Sequence, residues 1–340
     1  MNDLREPAKA PFGVTLSIAA VERDTGLSKD TLRIWERRYG FPTPGRDPAG
    51  ERCYPLDQIE KLRVIKRLMD AGHRPGRIVP LPIAQLRVLI EQTVDLAPHG
   101  AVAALASADL RTHLQFIRQH DMAGLRAALC RLQARVGLSP FVNEVVAPLN
   151  VAVGEAWLHG DLQLWEEHLY TETLQVLLRQ AIAAVPPLPA PAGPRVLLTT
   201  FPGEPHTLGL LMAEAILTLE GCPCINLGTQ TPPWDIVLAT RACDIDIVAL
   251  SFTACLNPNQ VIEGLTELRT KLHPRVALWA GGGAPVLHRR RLPGVQPFAT
   301  LETVPAALTG WREAASSAAA APASPAPSAS PAAPSATATS

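Results

Sequence analysis

The 340 residues contain no Cys-x-x-Cys pair, no apolar run of membrane-spanning length and no signal-peptide pattern. Those absences argue against a disulfide scaffold, a transmembrane protein and a secreted one, so a reduced cytoplasmic protein with free thiols is expected. Of the six cysteines (Cys53, Cys130, Cys222, Cys224, Cys243 and Cys255), only Cys222 and Cys224 are close, flanking a proline that reads as a turn into a strand. Buried structural thiols are the expectation for them. Neither sign of charge is in excess, with 31 Lys+Arg against 31 Asp+Glu, so the global balance is silent about partners. Residues 12–80 differ, with 13 Lys/Arg against 9 Asp/Glu, a local net of +4 that suits a phosphate backbone.

The length suits two or three domains, and 47% hydrophobic residues are enough for real cores. Residues 1–15 read as a flexible arm. From 16 to 80 the pattern is helical. Ser28 is placed to cap a helix from about Lys29 to Arg38, with Leu32 and Trp35 facing inward. Residues 42–55 hold four prolines and two glycines and are expected to be an irregular loop. Ile59, Leu62, Ile65 and Met69 then mark one apolar face of a helix over about 56–71. Residues 81–185, dense in Ala and Leu, repeat helical periods over 84–93, 100–118, 121–135, 141–158 and 162–184, as in a four-helix-type bundle. The proline run over 186–194 reads as a stiff linker. Short apolar strands at 196–200, 224–227, 245–251 and 276–279 then alternate with helical stretches, which predicts a Rossmann-like α/β domain with a parallel sheet over 195–315. From about 314 the chain is Ala, Ser, Pro and Thr with no charge, a tail over 316–340 expected to be disordered.

Ser28, Thr31, Arg33, Arg37, Arg38 and Tyr39 lie on the second helix of a helix-turn-helix pattern, the helix that enters the major groove. Arg33 and Arg37, four apart, share a face. The sequence Trp35-Glu-Arg-Arg-Tyr-Gly40, followed by Arg46, Gly50-Glu51-Arg52 and Tyr54, resembles the winged helix-turn-helix head of the MerR family over residues 16–80. That resemblance implies double-stranded operator DNA as partner, binding as a dimer, and a wing whose Arg52 and Tyr54 approach phosphates. Many members carry Gly-His-Arg where this chain has Gly50-Glu51-Arg52. No cysteine cluster follows the head, which argues against metal sensing of the mercury-resistance kind.

Two further motifs stand apart, Glu204-x-His206-x-x-Gly209 after the first α/β strand and Trp157-x9-Glu167-His168 in the bundle. Ligands of open parallel sheets bind beyond the carboxyl ends of strands, where a histidine can coordinate a metal through one nitrogen while a partner such as Glu204 holds the other. Ser251 and Thr253 end the third strand, and Gly281, Gly282 and Gly283 follow the fourth, where missing side chains leave room. These features resemble the methionine-synthase-type cobalamin domain, which implies that His206 is the lower ligand of cobalt and that the Ser, Thr and Gly positions line a slot for the nucleotide tail. With the head, the whole resembles the CarH/LitR family of light-responsive regulators over residues 16 to about 310. That resemblance implies adenosylcobalamin between bundle and α/β domain, with Trp157, Glu167 and His168 on the adenosyl side.

In some members a histidine directly follows the tryptophan and binds cobalt after illumination. Here that position is Leu158 and the nearest candidate is His159. The implied function is a repressor, not an enzyme, that binds operator DNA as a dimer or tetramer in the dark and lets go in the light. Two alternatives stay open: a MerR-like regulator that has lost cobalamin and answers to a protein partner, and a cobalamin-dependent methyl-transfer carrier.

Overall fold

A computed structural model describes residues 15–70, 73–94, 103–186 and 193–320. Most of the expected arm, linker and tail (1–14, 187–192 and 321–340) lies outside these residues. The head opens on β1 (Thr15–Ser17), α1 (Ile18–Thr25) and α2 (Lys29–Tyr39). Ser17 and Ser28 cap the two helices, their side chains accepting the backbone N–H of Ala20 and Thr31. Gly26 turns the chain between them at φ 69°, a left-handed conformation that favours glycine.

The stretch expected to be irregular contains a hairpin instead. β2 (Gly45–Arg46) and β3 (Arg52–Pro55) pair antiparallel, and β3 also pairs with β1. Strands of two and four residues are too short to show an alternating pattern. The prolines at 42, 44 and 48 fall outside the paired positions, while Pro55 comes last in its strand. α3 (Leu56–Asp70), a short α4 (Pro75–Ile78) that the sequence does not announce, and α5 (Ile83–Val94) complete this part; the helix expected at 84–93 in the bundle packs instead on α3, with Leu86 in the core of the head. Its core is built on Val21, Leu32, Trp35, Tyr54, Ile59, Leu62 and Ile65.

The bundle comprises α6 (Ala103–Arg118), α7 (Met122–Val136), α8 (Leu138–Pro140), a π-helical segment (Phe141–Val146), α9 (Ala147–His159) and α10 (Leu164–Ala183). α8, the π segment and α9 form one helical rod, since the residues at their junctions keep right-handed helical angles. Pro148 in the first turn of α9 has no N–H and its ring crowds the carbonyl four residues back; the wider π turn just before it accommodates both.

The third part alternates β4 (Val196–Thr199), α11 (Leu208–Leu219), β5 (Cys224–Asn226), α12 (Pro233–Ala242), β6 (Ile247–Ser251), α13 (Pro258–Lys271), β7 (Ala277–Gly281), α14 (Val286–Arg289) and β8 (Val295–Phe298), then a 3₁₀ turn (Leu301–Thr303) and α15 (Val304–Ala320). All five strands are parallel, in the order β5-β4-β6-β7-β8. β8 was not foreseen, because Val295-Gln-Pro-Phe298 is short and contains a proline. The tail expected to be disordered from about 314 is helical through Ala320, since the alanines that dominate 314–320 are strong helix formers.

One apolar core runs through both the bundle and one face of the sheet, joining Leu125, Phe141, Leu149 and Leu174 to Leu210, Ile216, Trp279 and Leu308. A second core fills the other face, around Val237, Val248, Phe252 and Leu265. α11 joins bundle to sheet and packs along α10. Asn150 of α9 accepts the Tyr170 hydroxyl and turns its own amide to the Met212 sulfur on α11, at 3.3 Å. The bundle therefore packs on the sheet domain as a lid.

Candidate functional site

The strand order fixes where a ligand can enter. From β4 the chain steps outward to β5, then returns across β4 to β6, so the sheet reverses direction between β4 and β6. In open parallel sheets the crevice outside the carboxyl ends at such a reversal is the usual binding place. The loops after β4 and β6 meet there. Thr200 ties the first loop, donating to the Glu204 carbonyl at 2.6 Å and accepting the Gln230 N–H at 2.8 Å.

Glu204 is fully buried. Its Oε1 lies 2.6 Å from His206 Nδ1, and its Oε2 accepts the Thr253 N–H at 2.6 Å, the Thr253 hydroxyl at 2.8 Å and the Cys255 thiol at 3.2 Å. Burial works to raise the carboxyl pKa, but the hydrogen bonds from His206, Thr253 and Cys255 outweigh it and hold the pKa below its ordinary value. Hydrogen bonds with Cys255 and then Glu204 push the His206 imidazole up to about 10, against its partial burial. The His206 side chain is 54% exposed. With Nδ1 committed to the carboxylate, Nε2 is the nitrogen available to a metal. The sequence expectation for Glu204 as the partner of His206 thus matches the geometry. Thr253 does not. It was expected in the tail slot, and its N–H and hydroxyl are instead spent on Glu204, with the hydroxyl 3.2 Å from His206 Nδ1.

Beside this cluster lies a cavity of about 400 Å³ between bundle and sheet. Asn143, Asn150 and Val151 line it from the lid, Gly209 and Met212 from α11, and Ser251 and Gly281–Gly283 from the strand ends. Two of its glycines stand where a side chain would meet a neighbour. A Cβ on Gly209 would stand 2.5 Å from the Ser251 hydroxyl oxygen. Gly282, at φ +108°, has room for none, since a Cβ would meet the Phe252 carbonyl oxygen at 2.2 Å. An apolar slot walled by glycine, next to a histidine held through its far nitrogen, fits the nucleotide tail and lower ligand of a corrinoid.

The residues expected on the adenosyl side do not reach this cavity. Trp157 is half-buried against the shared core. Glu167 Oε2 lies 2.8 Å from His168 Nδ1, and Oε1 accepts the Thr171 hydroxyl at 2.7 Å. None of these, nor His206, is among the cavity-lining residues. His159 ends α9 exposed, with Nδ1 2.8 Å from the Glu155 carbonyl oxygen; the Leu158 side chain lies outside the described residues.

In the head, Arg33, Arg37 and Arg38 are exposed on α2. Arg33 pairs with Asp30 at 3.2 Å, and the Arg38 guanidinium sits 5.4 Å from the centre of the half-buried Tyr39 ring. Ser28 and Thr31 share a hydroxyl contact of 2.8 Å at the start of the same helix. On the wing, Arg46 donates to the Gly50 carbonyl at 2.6 Å. Arg52 Nε donates to Glu36 Oε2 at 3.0 Å, which ties wing to α2 and raises the guanidinium pKa. Tyr54 is a correction. Expected to approach phosphates, it is fully buried in the head core, and its hydroxyl has no hydrogen-bond partner among the described residues. It lies on β3, which α1 covers, so its ring turns inward.

The sequence reading also missed Cys255, Asn150 and the segment from Phe298 to Val304 that walls the cavity. All six cysteines are free as expected, but only Cys222 is buried. Cys255 carried one signal, its place two residues beyond Thr253 at a strand end.

A model of the MerR HTH family regulatory protein matches residues 16–81. Two models of the B12 binding domain match residues 194–302 and 111–181. The chain is 31% identical over 272 residues to the HTH-type transcriptional repressor CarH of Myxococcus xanthus, covering 78% of this chain and 87% of that one. The chain belongs to the CarH family of transcriptional regulators. Another such relative, the HTH-type transcriptional repressor CarA of the same organism, is 29% identical over 272 residues, 80% of this chain and 88% of that one. Among solved structures, the Methanosarcina barkeri monomethylamine corrinoid protein aligns with a TM-score of 0.47 at 15% identity, covering 58% of this chain and 96% of that one. As a CarH-family member, the chain is a cobalamin-binding transcriptional regulator with a MerR-type DNA-binding head. No helix among the described residues is long and apolar enough to cross a membrane.

Proposed function

We propose that the chain is a light-responsive repressor of the cytoplasm. In this reading it holds adenosylcobalamin between the lid, α6 to α10 (103–183), and the α/β domain (195–315), binds operator DNA as a dimer or tetramer in the dark, and releases it in the light. The observation that carries this reading is the Glu204–His206 pair at the sheet reversal, beside a glycine-walled cavity that the lid closes. Adenosylcobalamin supplies a cobalt–carbon bond that visible light breaks. His206 ligates cobalt through Nε2, its ring held by Glu204. Ser251, Gly209 and Gly281–Gly283 take the nucleotide tail. Trp157 screens the adenosyl side from water, and Glu167 and His168 offer polar contacts to it. The lid and the sheet share one core, so a change of ligand on the lid side biases how the lid packs, and through it the oligomer and the heads. Several heads in one assembly gain avidity for repeated operator elements.

The test is an absorption spectrum of protein mixed with adenosylcobalamin in darkness, desalted, then illuminated, with size-exclusion and gel-shift measurements on both states. Retained corrin, a spectral change, a smaller assembly and released DNA are expected. Corrin lost in the dark would end this reading, and retention without any change on illumination would remove light as the input.

A further inference from the structure

The function above gives Cys255 no task, yet its thiol belongs to the hydrogen-bond set of His206. Sγ lies 3.2 Å from Glu204 Oε2 and 3.5 Å from the Gly203 carbonyl oxygen. One nitrogen, one oxygen and one sulfur donor from His206, Glu204 and Cys255 all fall within 4.8 Å of one another. Glu204 is buried, Cys255 half-buried and His206 exposed, so the set is rooted in the protein and opens on one side. It is also preorganised. Thr200 and Gln230 fix the loop that carries Glu204 and His206, and the Cys255 N–H donates to the Thr253 hydroxyl oxygen at 3.3 Å.

Imidazole, carboxylate and thiolate together are donors for a borderline-soft ion, whereas calcium and magnesium call for oxygens. A tetrahedral zinc ion has bonds of about 2.0–2.3 Å, so its ligands stand about 3–4 Å apart. The three donors lie within 4.8 Å of one another, so small side-chain shifts bring them to that spacing. Three protein ligands leave one position for water on the open side.

We propose that Glu204, His206 and Cys255 bind zinc, or a divalent ion of similar softness, when no corrinoid is present. The ion takes the place of shared protons. The thiol releases its proton and binds as thiolate. Glu204 turns to the ion the oxygen that now faces His206, while Thr253 keeps the other. His206 binds through Nδ1, and the ring keeps one proton, on Nε2; a doubly protonated ring releases its second. A protonated Nε2 cannot ligate cobalt, so zinc and corrinoid exclude each other at His206. That exclusion, unlike zinc binding itself, rests on His206 being the cobalt ligand.

The experiment titrates zinc into reduced, cobalamin-free full-length protein against a chromogenic chelator. A parallel cadmium titration is followed by near-ultraviolet thiolate absorption. One site per chain is expected, weakened at least ~10-fold in Cys255→Ser and in Glu204→Gln. The cadmium–thiolate band should be lost in Cys255→Ser, and circular dichroism of each variant checks its fold. An affinity and a thiolate band unchanged by Cys255→Ser overturn the proposal, as does the absence of a stoichiometric site. Desalting with adenosylcobalamin before zinc, after zinc, and after zinc and chelator tests the exclusion. Corrin retained by zinc-loaded protein overturns it, whereas corrin lost without zinc tells against the cobalamin reading alone.

Discussion

Glu204 Oε1 stands 2.6 Å from His206 Nδ1, the carboxylate fully buried and the imidazole half exposed. A carboxylate so placed fixes the ring and its tautomer and raises the basicity of the other nitrogen. Glu204→Gln keeps the shape but gives up the negative charge and much of that control. It should weaken corrinoid retention roughly 10–100-fold. His206→Ala should do the same or more and remove the histidine-ligated spectrum, read by equilibrium dialysis with absorption. Equal retention in both variants and the wild type would take the pair out of the site.

The same pair sets a pH profile for the cobalamin-free protein. Glu204 binds its proton more weakly folded than unfolded, so its contribution is complete above its ordinary value near 4.5 and is lost as pH falls through the depressed folded value. His206 holds its proton more tightly folded, so its contribution is complete below about 6.5 and is lost as pH rises toward about 10. Stability from the pair is then greatest between pH 4.5 and 6.5. Because His206 is half exposed, solvent screens its share and the alkaline limb is the shallower. Urea melts across pH should show both limbs in the wild type and flatter ones in Glu204→Gln.

Two glycines of the cavity should answer differently to alanine. At Gly209 the obstacle is the Ser251 hydroxyl, 2.5 Å from the new Cβ, and a hydroxyl can rotate away. Gly209→Ala should fold normally and lose affinity for the nucleotide-bearing corrinoid roughly tenfold, with a smaller loss for a corrinoid lacking the tail. At Gly282 the obstacle is a backbone oxygen at 2.2 Å and φ is +108°. Gly282→Ala should therefore cost about 2–3 kcal/mol of stability whatever is bound. Thermal melts and binding isotherms separate the two.

Much of this site was legible because its chemistry sits on strand ends. His206, Glu204, Ser251 and Gly281 each follow or end a short apolar run, and a parallel sheet brings such positions to one edge. Thr253 and Cys255 were harder. Which loop residue bends toward Glu204 depends on the turn after β6, where no periodicity operates. Asn150 was invisible for a similar reason, since only the packing of α9 on α11 gives it Met212 and the cavity as neighbours. In the head, Trp35 was rightly read as core from its spacing to Leu32. Tyr54 was misread, because a four-residue strand gives too little pattern to tell its inward side from its outward one.

The two arginines of the head should separate by mechanism. Arg37 is exposed on α2 beside Arg33, so its loss removes positive charge with little effect on packing. Arg37→Ala should leave stability unchanged within about 0.5 kcal/mol, weaken operator binding, and lower the slope of log affinity against log salt by ~1 if it contacts a phosphate. Arg52 donates to Glu36, with both side chains about one-third exposed, 30% and 31%. Arg52→Ala leaves that carboxylate unpaired on the helix that carries Arg33 and Arg37 and loosens the wing from α2. It should cost up to about 1 kcal/mol of stability and weaken operator binding more than Arg37→Ala does. Glu36→Gln in the Arg52→Ala background separates the two causes. If the stray carboxylate is responsible, that second change recovers part of the affinity. If Arg52 itself touches phosphate, the affinity stays low and the salt slope stays reduced. Gel-shift titrations at three salt concentrations distinguish these outcomes.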